Sequence, residues 1–233
     1  MADVNTLLAH VKERFAECII DATVLLDELT VLVKRERLLD VCRELRDDPF
    51  FAFNQLMDVC GIDYLHYGLD DWQTESTTES GFSRGVTSVL LQENPAKPER
   101  FAVVYHLLSL THNHRIRLRV GLSEEKELMV DSVMPIWPAA NWYEREAFDL
   151  FGILFRGHPD LRRLLTDYGF SGHPFRKDFP LIGKVEARFD AALGRVIYEP
   201  VSIAPRTLEP KVIRHDNRQL DAAVDAKEGG SHG

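Results

Sequence analysis

The chain has 233 residues, enough to bury a core as one large domain or one domain plus an extension. Its 28 basic residues face 37 acidic ones, and the net charge of −9 argues against a nucleic-acid binder, which needs a dominant basic face. No run of about 18 apolar residues is available for a bilayer-spanning helix, and the first residues read as neither signal nor transit peptide.

Cys18, Cys42 and Cys60 lie far apart without paired spacing, so no disulfide framework, zinc clip or iron–sulfur clip is expected. These features together predict a soluble protein of a reducing compartment.

In chain order, Leu7, Leu8, Val11 and Phe15 recur at helical spacing and predict a helix over 5–17. Residues 18–26 are apolar and β-branched enough for a strand, and the alternation over 29–33 predicts a second. Leu38, Leu39, Cys42 and Leu45 line one face of a helix ending near Asp47-Asp48-Pro49. Phe50, Phe53, Leu56 and Met57 predict another helix, opened by Pro49 and closed by Gly61, with a short strand over 62–67.

Residues 69–99 are rich in Ser, Thr, Gly, Glu and Pro and read as a surface insertion. Residues 100–110 and 115–122 predict a hairpin turning at 111–114. The elements add up to an α+β fold with a mainly antiparallel sheet and packed helices. We expect residues 1–137 to form this domain, 138–183 a helix-turn segment, 184–214 an extended Gly/Pro-rich tail, and 215–233 a disordered end.

Charge is uneven. Residues 40–79 carry ten acids against two arginines, whereas 156–177 carry five basic residues against two acidic. The positive island lies in the most distinctive stretch, which runs from Asn141 to Gly183. Asn141 reads as a helix cap, with Glu144 three residues on. At 100° per residue, Tyr143, Ala147, Phe148, Leu150 and Phe151 share an arc, with Arg145, Glu146 and Asp149 opposite, near Trp142. Glu144 falls inside the apolar arc. Either it turns back to cap the helix, or it is a buried interface carboxylate beside a basic partner.

Gly152 is placed to stop the helix. Pro159 is expected to open a short helix with Leu161, Leu164 and Leu165 on one face and Arg162 and Arg163 on the other, suited to carboxylates of another chain, against the commoner fate of a solvated basic face. Gly157-His158-Pro159 and Gly172-His173-Pro174 hold the chain in a specified path before Arg176 and Lys177.

Familiar catalytic and nucleotide motifs are missing: no GxGxxG after a strand, no GxxxxGK[ST], no GxSxG. His112 and His114 could share a metal at a strand end, against the commoner fate of a solvated turn. Ser171, His173 and Asp178 hold the residue types of a hydrolytic triad, but on one short turn-rich stretch. Trp137, Trp142 and Tyr143 could stack on a quinone, although burial in a core or interface is commoner for such rings. In the tail, Val185, Phe189, Val196, Tyr198 and other apolar residues have no evident internal partner. Either the tail is disordered alone or it lies along another protein, and the number of apolar groups favours docking.

NWYERE with DLFGI, GHPDLRR, and GHP followed by RKDFPL stand here in one ordered string. The string resembles the signature of the C-subunit (30 kDa subunit) family of the proton-pumping NADH–quinone oxidoreductase, respiratory complex I. The match is tight from about Ser132 to Leu181, looser over 28–65, 101–120 and the tail, and absent in the insertion. The resemblance implies an α+β scaffold subunit of the peripheral arm whose C-terminal segment runs along the quinone-site D-subunit. It implies no catalytic residue and no bound cofactor in this chain, with NADH, FMN, iron–sulfur clusters and quinone held by partner subunits. It also implies a peripheral position on the cytoplasmic side of a cell inner membrane. The implied contact residues are Trp142, Glu144, Arg145, Asp149, His158, Arg162, Arg163, His173, Arg176 and Lys177. Similar subunits serve membrane-bound hydrogenases and deazaflavin-linked dehydrogenases, which form the alternative. A stand-alone metal-dependent enzyme built on the His-rich turns is the other.

Overall fold

A computed structural model describes residues 4–65, 67, 99–123, 128–180, 183 and 185–202. Most of the expected insertion and the expected end at 215–233 lie outside the described residues, as does the tail beyond 202. The chain divides into two compact units, Met1–Leu181 and Ile182–Gly233.

The first unit is built on a five-stranded sheet. Helix α1 (Val4–Arg14) precedes strands β1 (Ile19–Leu25) and β2 (Glu28–Val33), and helix α2 (Leu38–Asp47) leads into β3 (Gln55–Asp63). Strands β4 (Phe101–Ser109) and β5 (His114–Leu122) form the expected hairpin. The spatial order is β1-β2-β5-β4-β3, antiparallel throughout except for the parallel pair β2–β5. A short parallel pair, β6 (Met129–Asp131) and β7 (Leu154–Arg156), brackets helix α3 (Ala140–Phe151).

Alternation sets the faces. Ile116, Leu118, Val120 and Leu122 of β5 point into the core, while Arg115, Arg117 and Arg119 occupy the other face. Leu7 and Val11 of α1, and Leu38, Val41, Cys42 and Leu45 of α2, join the same core. Ala140, Ala147, Leu150 and Phe151 of α3 join it too, so the signature helix is part of the domain core. Gly61 of β3 lets α3 approach closely. A Cβ there would stand 2.6 Å from the Phe151 ring.

The expected helix over 50–61 is a loop followed by β3. Residues 48–54 turn tightly, with the Phe50 N–H donating to Asp48 Oδ1 and the Phe53 N–H returning to the Leu45 carbonyl. The register of β3 shifts between Leu56 and Asp58. This bulge puts Leu56 and Val59, three residues apart, on one face, and that spacing imitates a helix. The strand expected over 62–67 is the end of β3, which stops at Asp63.

The second unit holds a hairpin where an extended tail was expected: β8 (Val185–Asp190) pairs with β9 (Arg195–Pro200), turning through Gly194. Cross-strand pairs Val185–Pro200, Ala187–Tyr198 and Phe189–Val196 share one face, whereas Glu186–Glu199 and Asp190–Arg195 share the other. The alternation that makes this hairpin is present in the sequence but is interrupted by prolines further along. Val185, Phe189, Val196 and Tyr198 are all exposed.

Candidate functional site

The signature forms one structure: helix α3 with the irregular segment 157–180 wrapped around its C-terminal half. Asp149 is its centre. The carboxylate is fully buried and accepts the N–H groups of Leu164, Leu165 and Thr166 at 3.0, 2.7 and 2.9 Å. The Thr166 hydroxyl donates at 2.5 Å and the Arg163 guanidinium at 3.1 Å. Burial alone would raise the Asp149 pKa. The hydrogen bonds from Thr166, Leu165 and Leu164 outweigh it and hold the group well below the usual carboxylate range. A carboxylate occupied by five donors is an anchor for the loop.

The short helix expected after Pro159 is absent for this reason. The N–H groups that would start its hydrogen-bond ladder turn to Asp149 instead, and Leu165 is left exposed while Leu161 packs against the core.

The C-terminal end of α3 is closed by the second His-Pro turn. Helix ends leave their last four carbonyls without intrahelical partners. Here the Gly152 N–H reaches the Phe148 carbonyl at 2.8 Å and His173 Nδ1–H the Asp149 carbonyl at 2.9 Å. The Phe175 N–H reaches the Leu150 carbonyl at 3.1 Å, and Arg176 Nε the Phe151 carbonyl at 2.7 Å. All four are satisfied. Gly152 is required twice over: its φ is 77°, and an added Cβ would meet Arg176 and His173 at 2.6–2.7 Å.

The other signature residues also bond within the chain. Arg145 Nε and Nη2 donate to the carbonyls of Arg162 and Arg163 at 3.1 and 3.3 Å. His158 donates from Nε2 to the Asn141 carbonyl and accepts the Asp160 N–H at Nδ1, which specifies one tautomer. Arg163 is thus committed to Asp149 and the Gly172 carbonyl, not free as expected. The face of α3 carrying Arg145 and Asp149, opposite the apolar arc on the helical wheel, is buried because the loop covers it. The Lys177 backbone N–H reaches Asp63 at 2.8 Å, and Arg100 bridges Asp63 and Asp178.

Glu144 does not turn back to cap the helix. The helix cap position is Ala139, without a side-chain bond, and no basic group faces the Glu144 carboxyl among the described residues. Its oxygens accept the Ser132 hydroxyl at 2.6 Å and the Val133 N–H at 2.7 Å, tying α3 to the strand end before it. Burial pushes its pKa up to about 7 against the pull of these two bonds. Tyr105, buried beside it, is likewise pushed up by burial and by the Glu144 charge. Sequence reasoning missed Ser132, Thr166, Asp63 and Arg100. Their partners lie 12–114 residues away, beyond any local pattern.

Of the ten contact residues that the resemblance implies, three face outward. Trp142 is 67 % exposed, Arg162 pairs with its neighbour Asp160, and Lys177 is exposed. Trp137, by contrast, is buried with its indole N–H on the Phe53 carbonyl. His112 and His114 stack at 5.3 Å with their Nε2 atoms on the Pro49 and Phe51 carbonyls, and no metal-ligating group of three forms among the described residues.

Comparison with known proteins decides the family. The model of "Respiratory-chain NADH dehydrogenase, 30 Kd subunit" matches residues 31–185. This chain belongs to that family. It is 58 % identical over 219 residues to the NADH-quinone oxidoreductase C-subunit of Coxiella burnetii (strain Dugway 5J108-111), covering 94 % of this chain and 96 % of the relative. The Legionella pneumophila (strain Corby) C-subunit is 56 % identical, over 92 % and 94 %, and that of Halorhodospira halophila 51 %, over 98 % and 97 %. A solved trypsin-resistant fragment of Nqo5 is 34 % identical, covering 66 % of this chain and 98 % of the fragment, with a TM-score of 0.47. A chain of an archaeal membrane-bound sulfane sulfur reductase is similar in fold (TM-score 0.52, 19 % identity, 76 % and 86 % covered). The relatives' names favour the NADH–quinone reading over the hydrogenase and deazaflavin alternatives.

Proposed function

We propose that this chain is the scaffold subunit of the peripheral arm of an NADH–quinone oxidoreductase, complex I. It contributes no catalytic residue and binds no cofactor itself. NADH, FMN, iron–sulfur clusters and quinone belong to its partner subunits, and the assembled machine couples electron transfer from NADH to quinone to proton translocation. The chain is peripheral, on the cytoplasmic side of a cell inner membrane. Among the described residues no helix is long and apolar enough to cross a membrane.

The observation that carries this reading is the identity of 58 % to an NADH-quinone oxidoreductase C-subunit along 94 % of the chain. The organisation of the site supports it. Buried charges are spent on fixing the path of residues 157–180, which suits a surface presented to neighbours. Trp142, Arg162 and Lys177 are the exposed contact candidates, while Glu144, Arg145, Asp149, His158, Arg163, His173 and Arg176 hold that surface in shape.

The tail from 184 is the docking element, and the quinone-site D-subunit is its partner. The β8–β9 hairpin lends this its chemistry: one face is apolar and exposed, the usual mark of a protein interface. Tagging the full chain in its own cell and identifying what copurifies tests the assignment. Recovery of NADH-oxidising subunits and of the D-subunit is expected; recovery of hydrogenase-type subunits instead would overturn it.

A further inference from the structure

A second exposed apolar feature lies far from the signature in sequence, at the tip of the β1–β2 hairpin. Leu25 pairs with Glu28, so the turn has two central residues, Leu26 and Asp27. Their φ angles are 53° and 60°. Two left-handed central residues define the tightest hairpin turn, one that favours Asn-Gly because glycine and asparagine tolerate that region. Leucine does not, since its Cβ crowds the following carbonyl. Moreover, the leucine gains no burial for the strain: Leu26 is 89 % exposed and Leu25 beside it 74 %. A single exposed leucine needs no explanation. Two adjacent ones, one of them in a backbone conformation that disfavours it, are a cost to the folded chain with no return inside it.

We infer that the Leu25–Leu26 tip is a docking knob that inserts into an apolar pocket, rimmed by positive charge, on another protein subunit of the assembly. The inference rests on the subunit reading above and adds a contact distinct from the C-terminal tail. Charge decides among the possible occupants. The tip carries Asp27 and Glu28, both exposed, with Asp21 further along β1. Arg117 donates to Glu28 from the sheet face, away from the turn. An anionic membrane surface would repel such a tip. A second copy meeting it head-on would set Asp27 against Asp27. A pocket with apolar walls and a Lys or Arg at its mouth satisfies both the leucines and Asp27, the acid of the turn itself.

The test exploits the strain. Leu26→Asn and Leu26→Gly both suit the turn better than leucine, so each should melt at or above the temperature of the natural chain when the purified full-length subunit is heated. In cells, the same tagged variants should recover the multi-subunit complex at a level about tenfold lower, the loss expected for one buried apolar anchor. Asp27→Lys, tested in the same way, should also lower recovery. A lower melting temperature for both Leu26 variants would show that the leucine serves the fold and overturn the proposal. So would recovery of complex at the natural level. Unchanged recovery with reduced flotation on anionic vesicles would assign the tip to a lipid surface instead and overturn it equally. If the natural chain itself recovers no partners, the subunit reading fails first, an outcome distinct from all of these.

Discussion

The signature and the β8–β9 hairpin are opposites. The signature is dense in charged and polar residues, and most of them turn inward onto the chain's own backbone. Asp149 gathers residues 163–166, while His173, Phe175 and Arg176 close the end of α3. The hairpin has a plain alternating pattern, and its apolar side chains face outward. The charged and polar residues of this distinctive motif are therefore largely architecture, although Trp142, Leu165, Tyr168 and Phe175 within it are exposed as well. Polar residues repay burial only when every donor and acceptor is matched, which demands particular residues at particular positions. An apolar docking face demands only the right period.

That contrast makes unequal demands on mutants. The largest effect is expected for Asp149→Ala. It leaves three part-buried N–H groups without an acceptor and Arg163 without its counter-charge, and should lower stability by about 2–4 kcal/mol in denaturant titration. A loss below about 1 kcal/mol would mean that the loop is not held by this carboxylate.

Glu144→Gln should act in the other direction. Glutamine can accept from Val133 and donate to the Ser132 oxygen without burying a charge. The folded-state pKa of Glu144, about 7, lies above its ordinary 4.5. The native chain therefore binds the extra proton, and stability contributed by this group is full below pH 4.5 and falls as pH rises to about 7. The variant should match the natural protein near pH ~4 and exceed it by about 3 kcal/mol near pH ~8. Parallel stability curves for the two would contradict a raised pKa.

Gly61→Ala should cost about 1–3 kcal/mol, because the new methyl must displace the Phe151 ring at the contact between β3 and α3. A neutral result would place that contact elsewhere. Smallest in stability terms is Phe189→Ser with Tyr198→Ser on the exposed hairpin face, expected to change stability by less than about 0.5 kcal/mol. The same double variant should nevertheless lower incorporation into the complex, measured by copurification, and thereby separate the two kinds of region.

Much of this contrast is legible without coordinates. The α1, α2 and α3 helices, the β1, β2, β4 and β5 strands and the Gly152 stop follow from periodicity and from glycine chemistry. The family resemblance rests on the ordered signature. What stays hidden has a common cause, namely contacts between residues far apart in the chain. Residues 164–166 turn to a carboxylate 15–17 positions back, so a helical-looking Leu161, Leu164, Leu165 pattern yields no helix. One bulged residue in β3 gives Leu56 and Val59 a helical spacing. Arg145 and Asp149 fall on the polar side of a wheel because a wheel does not include the loop that covers them. The β8–β9 alternation is readable in the sequence, but the nearby prolines mask it.

The central claim is that the signature is held by its own chain while the hairpin needs a neighbour. Hydrogen exchange on the purified subunit and on the assembled complex tests it most directly. The amides of Leu164, Leu165 and Thr166 should be protected in both, and those of 185–200 should gain protection only in the complex. Rapid exchange at 164–166 in the free subunit, slowed only on assembly, would contradict the account.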